Sequence, residues 1–178
     1  MISILLYFFF LLLLSSVAVI QANDDCADAL LIDSFPFEIT GDVRDATSDF
    51  ATSPTDTFRN LTCGIGTEAV GVWYRIEASS RNGSTSGMFL KAIVADSPTT
   101  DAKFNVALFQ GSSCEDYQCM LTREYTLENQ RTAPALTWYA QEGVSYFLHV
   151  FGINALEVGM FDLTVEVCVL QYSIYCIV

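Results

Sequence analysis

GMFDLTVEVC, Gly159–Cys168, alternates without a break: Phe161, Leu163, Val165 and Val167 fall on one side of an extended chain, and Asp162, Thr164 and Glu166 on the other. Successive side chains of a strand point to opposite faces, so this run predicts a strand with one buried and one wet face. Working outward, four runs are apolar on both faces: GVWYRIEAS from Gly71, MFLKAIVAD from Met88, KFNVALFQG from Lys103 and VSYFLHVFG from Val144. Strands covered on both sides read this way, so these are expected to be central. FPFEITG from Phe35, MLTREYT from Met120 and ALTWYAQ from Ala135 are less regular strand candidates. Turn chemistry separates the runs in RNGSTSG at Arg81, DSPTTD at Asp96 and QEG ending at Gly143. The polar segment 42–66 reads as a long connection across one end of the sheets.

No helical periodicity follows the first 22 residues, and about eight short strands in one domain of this size predict an all-β, antiparallel β-sandwich. Strand order, jelly-roll or immunoglobulin-like, stays open at this point.

The N-terminal stretch sets the compartment. Ile2–Ile20 is almost wholly apolar and closes on Ser15, Ser16 and Ala18, with Ile20 and Ala22 at the −3 and −1 positions of a cleavage site. Residues 1–22 are therefore expected to be a secretory signal peptide. No Lys or Arg precedes the apolar core, and its length would also suit an uncleaved membrane anchor, the one route by which a membrane enters the reading. Removing 1–22 from the 178 residues leaves 156, enough for one domain with a real core. The expected division is a signal peptide at 1–22, a sandwich at 23–168 and a tail at 169–178.

Six cysteines, Cys26, Cys63, Cys114, Cys119, Cys168 and Cys176, form an even set behind an export signal, so disulfides are the default and the sandwich is expected to be stapled. None has CxxC spacing. Cys114 and Cys119 in CEDYQC are expected to close on each other across a turn, while the remaining pairings stay open. Sequons at Asn60 (NLT) and Asn82 (NGS) lie in loop-like sequence and agree with export and glycosylation.

The net charge of −13 lies wholly in the mature part, with two lysines and one histidine. No basic patch can neutralise phosphates, which argues against nucleic acid as a partner. Nucleophilic catalysis by Ser or Cys needs a base, and the single histidine, His149, sits inside the apolar YFLHVFG strand. No GxSxG, HExxH, phosphate loop or EF-hand loop occurs. Paired carboxylates such as Glu77 and Asp162 are the remaining enzymatic option, as in glycoside hydrolysis.

Calcium is the better cation candidate, with donors at Asn23, Asp24, Asp25 and Asp28 and at Asp42, Asp45 and Asp49; their spacing matches no fixed loop, and the cofactor expectation is otherwise none. Sugar-binding sandwiches stack flat rings on pyranoses. Trp73–Tyr74 and Trp138–Tyr139 are adjacent pairs in strands, so one member of each is expected in the core and the other nearer solvent as a ligand-facing aromatic.

The order NDDCADALLI, FPFEITGDVRDATSDF, CGIG, GVWYRIEA, NVALFQGSSCEDYQCM, LTWYAQEGVSYFLHVFG and GMFDLTV resembles the exported β-sandwich modules related to the bacterial pre-peptidase C-terminal domain. The resemblance spans 23–167, and its most specific parts are VWY, the FxGSxC turn at Phe109–Cys114 and YFLHVFG followed by GxFxLTV. It implies a jelly-roll-like, non-catalytic module, attached to secreted enzymes or repeated in surface proteins, that in some members binds calcium, glycans or matrix proteins. It transfers no active-site residue. Many relatives carry a cysteine in the strand equivalent to FLKAIVAD; its absence here points Cys63 to another partner, with Cys26 and Cys168 the candidates, and leaves Cys26 tied to Cys63 or Cys168. CVLQYSIYCIV extends beyond the resemblance, as a last edge strand held by Cys176 or the start of further sequence.

The expected function is a secreted, non-catalytic binding or adhesion module for an extracellular glycan or a matrix or cell-surface protein. The alternatives are an accessory spacer domain of a secreted hydrolase and a glycoside hydrolase using paired carboxylates.

Overall fold

A computed structural model describes residues 23–48, 63, 65–66, 69–78, 87–96, 102–123, 133–152, 158–171 and 173–176. The leader, Asp49 and both sequons, Asn60 and Asn82, lie outside the described residues. After a short 3-10 turn at Cys26–Asp28 come β1 (Leu30–Ile32), β2 (Phe37–Asp42), β3 (Gly71–Glu77), β4 (Met88–Asp96) and β5 (Phe104–Ser113). Then follow β6 (Asp116–Arg123), β7 (Ala135–Ala140), β8 (Ser145–Gly152), β9 (Met160–Gln171) and β10 (Ser173–Cys176). Among the described residues no helix is long and apolar enough to cross a membrane.

Two sheets form. The first has the order β1-β3-β8-β5-β6; the second runs β10-β9-β4-β7, with β2 also paired to β9. Antiparallel partners are nested: β5 with β6, β4 with β7, β3 with β8 and β2 with β9. The chain is thus one long two-stranded ribbon, tipped by the β5–β6 turn and rolled so that alternate segments fall in opposite sheets. This is jelly-roll order, and it resolves the choice left open by patterning. The short β1 adds parallel to β3, and β10 lies along the end of β9, so the tail is an edge strand. The boundary expected after Cys168 falls inside β9.

The runs apolar on both faces became interior strands, β3, β4, β5 and β8; the irregular ones became the edges β2, β6 and β7. The inner faces supply a core of Val72, Tyr74, Ile76, Leu90, Val94, Phe104, Leu108, Trp138, Leu148, Phe161, Leu163 and Val165. The wet face of β9 carries Asp162, hydrogen-bonded by the Thr40 hydroxyl at 2.7 Å. Glu166 departs from the expected wet face. It is buried, and its carboxylate pairs at 3.3 Å with Lys91, its register neighbour on β4.

A second apolar layer covers the outer face of the first sheet: Trp73, Ala107, Phe109, Tyr117, Phe147 and Phe151, beneath Cys26, Ile65 and Ala69. Two disulfides hold the covering segments in place. Cys26 pairs with Cys114 (Cα–Cα 5.8 Å) and Cys63 with Cys119 (Cα–Cα 5.2 Å). The expected Cys114–Cys119 bond is therefore overturned, as are pairings of Cys26 or Cys63 with each other or with Cys168. The loop looked small enough to close on itself, but Cys114 sits in the turn while Cys119 lies four residues into β6, opposite Phe109. An extended chain rises roughly 3.3 Å per residue, which carries Cys119 beyond the ~4.4–6.8 Å Cα separation a disulfide spans. Cys168 is also disulfide-bonded, with Cys176 as its register partner on β10. Stable disulfides belong to an oxidising compartment.

Non-reducing proteolysis with mass spectrometry should therefore recover peptides linking Cys26 to Cys114 and Cys63 to Cys119, and none closing Cys114 on Cys119. Cys114→Ser should destabilise the domain by about 2–5 kcal/mol in urea denaturation, since it opens a loop of 88 residues.

Candidate binding groove at the tip of the ribbon

The aromatics singled out by sequence separate sharply. Trp138 is in the core and Tyr139 is 45% exposed, as alternation requires. Tyr139 meets Phe89 edge-on at 5.2 Å on the outer face of the second sheet. Trp73 and Tyr74 do point to opposite faces, but both are buried, at 0% and 1% exposure. As ligand-facing residues they are corrected to structural ones, because the disulfide-pinned segments cover the face onto which Trp73 projects. Burial pushes the Tyr74 phenol well up, with a hydrogen bond from the Asn23 side chain acting the other way.

His149 belongs to the same outer layer. Its ring stacks on Trp73, its register partner, at 4.2 Å and 15°, and on Phe151 at 5.2 Å and 17°. Desolvation among these rings favours the neutral imidazole and lowers its pKa to about 3. The residue is a packed aromatic, out of reach of a substrate.

The acidic candidates do not converge. Asn23 is buried, its side-chain amide donating to the Trp73 carbonyl at 2.7 Å and its own carbonyl accepting from Trp73 N–H at 2.6 Å. Asp24 accepts from Thr47 at 3.1 Å and Asp25 caps the turn through the Ala27 N–H at 2.9 Å. Asp28 lies in that turn, and Asp45 in the one after β2. Asp42 is held by the Arg44 guanidinium, whose hydrogen bonds keep its carboxyl below the usual range. Among the described residues no group of three His, Cys, Asp or Glu side chains is placed to hold a metal. Glu77 and Asp162 sit on opposite outer faces of the sandwich, since Ile76 beside one and Phe161 and Leu163 beside the other face the core. A cleft flanked by that pair is excluded by the fold.

A concave feature with hydrogen-bonding capacity lies elsewhere, where the β5–β6 and β7–β8 turns come side by side. A groove of about 550 Å³ is lined by Gln110, Gly111 and Ser112 of β5, Asp116, Gln118, Cys119 and Met120 of β6, and Gly143, Val144 and Ser145 at the start of β8. The alternation explains it. Phe104, Val106 and Leu108 of β5 face the core, and Gln110 continues the same phase but is exposed. Gln118 is its direct partner on β6.

Three local devices shape the groove. Phe109 pairs with Cys119 and Leu108 with Leu121, so Met120 is an extra residue on β6, a bulge that turns it outward at 39% exposure. Gly111 is required because a Cβ there would run into the Asp116 carbonyl and lie 2.6 Å from the Tyr117 Cα. Gly143 adopts φ +76°, the left-handed turn conformation glycine favours. The Tyr146 hydroxyl accepts from the Gln141 N–H at 2.9 Å and fixes this second turn. Asp116 accepts from Ser112 at 3.5 Å, and among the described residues no Lys, Arg or His lines the groove.

Sequence reasoning passed over these residues because glutamine and serine match no catalytic or metal motif. The available signal was polar Gln110 at the inward phase of an otherwise apolar strand.

No family model matches the chain, and no curated protein matches it. Among solved structures it is similar to the pre-peptidase C-terminal domain of collagenase from Bacillus anthracis, with 14% identity over 78% of this chain and 94% of that one, at a TM-score of 0.45. This is the family that the sequence motifs resemble. It is also similar to the Yersinia pseudotuberculosis-derived mitogen, with 13% identity over 55% of this chain and 83% of that one, at a TM-score of 0.33.

Neutral burial of His149 has a pH consequence with a definite sign. Its folded pKa lies below the ordinary value of about 6.5, so the unfolded chain binds the proton first and the stabilisation, full above that value, is lost as pH falls towards about 3. His149→Phe should flatten the decline in unfolding free energy between about pH 7 and about pH 5 by roughly 2 kcal/mol, measured by urea titration at both values. An unchanged slope would show that the imidazole is accessible to protons.

Proposed function

We propose that this chain is a secreted, non-catalytic module that holds an extracellular glycan or protein in the groove at the tip of its β5–β6 ribbon. The observation that carries the reading is the groove itself, a concavity on a disulfide-stapled scaffold with amide, hydroxyl and carboxylate groups and, among the described residues, no histidine, free thiol or lysine in its lining. General acid–base or nucleophilic chemistry needs a base within hydrogen-bond reach of a reacting group. Here the one histidine is sealed in an aromatic stack, and the cysteine in the groove, Cys119, is oxidised. Binding, by contrast, needs a rigid concave surface with a few placed polar groups, and a volume of this size falls within the range of about 300–1,000 Å³ typical of small-ligand sites.

The apolar leader and the disulfides together support the export part of the reading. The reading is tested by probing the secreted chain against a glycan array and purified matrix proteins, in calcium and in a chelator, beside Ser112→Trp. Ser112 is exposed at the groove wall, so the indole should occupy the groove while the thermal melt stays unchanged. At least one ligand class should be retained by the wild type and lost by the variant. Blank arrays under both conditions, or binding that ignores the tryptophan, would overturn the proposal.

A further inference from the structure

Resting on that reading of the groove, we infer that its ligand is an uncharged, hydroxyl-rich chain, a neutral oligosaccharide, gripped by the carboxamide pair Gln110 and Gln118, and that polyanionic glycans are rejected. The two glutamines are register partners on β5 and β6, which sets their Cβ atoms about 4.5–5.5 Å apart on one side of the ribbon. Each carboxamide offers two donors and an acceptor oxygen, and each sugar hydroxyl offers one donor and two lone pairs, so neighbouring hydroxyls can be bonded in both directions at once. Ser112 and Ser145 add hydroxyls on the walls.

The charge of the lining decides between classes of glycan. Asp116 is an acceptor-only group when ionised and suits a hydroxyl donor, whereas a sulfate or uronate at the same place would meet a like charge. Recognition of such anions relies on arginine or lysine, and among the described residues none lines the groove. Apolar contact is present but modest: Met120 lies open on the bulge and Val144 contributes to the lining from the second turn. A polarizable thioether adapts to the C–H face of a pyranose.

The edge of β6 argues against the other way of using this region, addition of an extended peptide as a further strand. Residue 63 already lies along that edge, bonded to Cys119 through its sulfur and accepting at its carbonyl from the Thr122 hydroxyl at 3.0 Å. A peptide strand would have to displace a covalently held segment, while a sugar entering from the groove side would not.

The test measures binding of the secreted chain to cello-, manno- and N-acetylchito-oligosaccharides, and to heparin and oligogalacturonate, by saturation-transfer NMR and calorimetry. A neutral series should bind, the anionic probes should not, and Gln110→Ala and Gln118→Ala should each weaken binding about tenfold with an unchanged thermal melt. Asp116→Lys should admit heparin. Failure of every neutral probe, tighter binding of the anionic ones, or indifference to both glutamine variants overturns the inference. If a purified matrix protein is instead bound and lost in Ser112→Trp, the binding-module reading stands and the sugar assignment falls.

Discussion

The first sheet is apolar on both faces, and everything distinctive in this domain follows from the need to cover the second one. The second sheet covers the inner face in the usual manner of a sandwich. The outer face carries Trp73, Phe109, Tyr117, Phe147, His149 and Phe151 and has no third layer of regular structure above it among the described residues. Short irregular segments around Cys26 and at Cys63, Ile65 and Ala69 do the covering. Such segments have little helical or sheet bonding of their own, and each is fixed by a disulfide. The staples therefore compensate for thin cover over an aromatic layer.

That arrangement accounts for what could and could not be read from the chain. Period-two alternation was sufficient for the strands, because it records which side chains lose water, and Phe161, Leu163 and Val165 entered the core as the pattern required. Runs apolar on both faces became interior strands for the same reason, although β9, with one wet face, is interior as well. Strand order was not legible, since nested pairing is set by distant contacts that no local pattern encodes. The expectation that one of Trp73 and Tyr74 lies nearer solvent fails because alternation says which way a side chain points and nothing about what a remote segment lays over it.

The disulfides and the groove were illegible for related reasons. Cys114 and Cys119 are close in sequence but separated by a stretch of extended chain, so proximity along the chain misled where strand geometry would have decided. The groove arises near the end of the β5–β6 ribbon, beside the turn before β8. Gln110 and Gln118 are polar residues in an inward phase, a local contradiction in the pattern just beyond Leu108, the last residue of β5 in the core. Resemblance to a known module could supply the jelly roll but not these side chains, since no residue set was transferable.

The rolled ribbon has one more implication, for how unevenly the chain is ordered. Closing the β5–β6 pair requires only a tight turn, whereas β4–β7, β3–β8 and β2–β9 enclose progressively longer loops, and closure entropy rises with each. The groove-bearing tip is thus the part of the sheet with the least entropic debt, and both the Cys26 and Cys63 crosslinks terminate on it. A sandwich organised this way places its groove at its most locally determined point, so that fraying of the outer strands need not deform it.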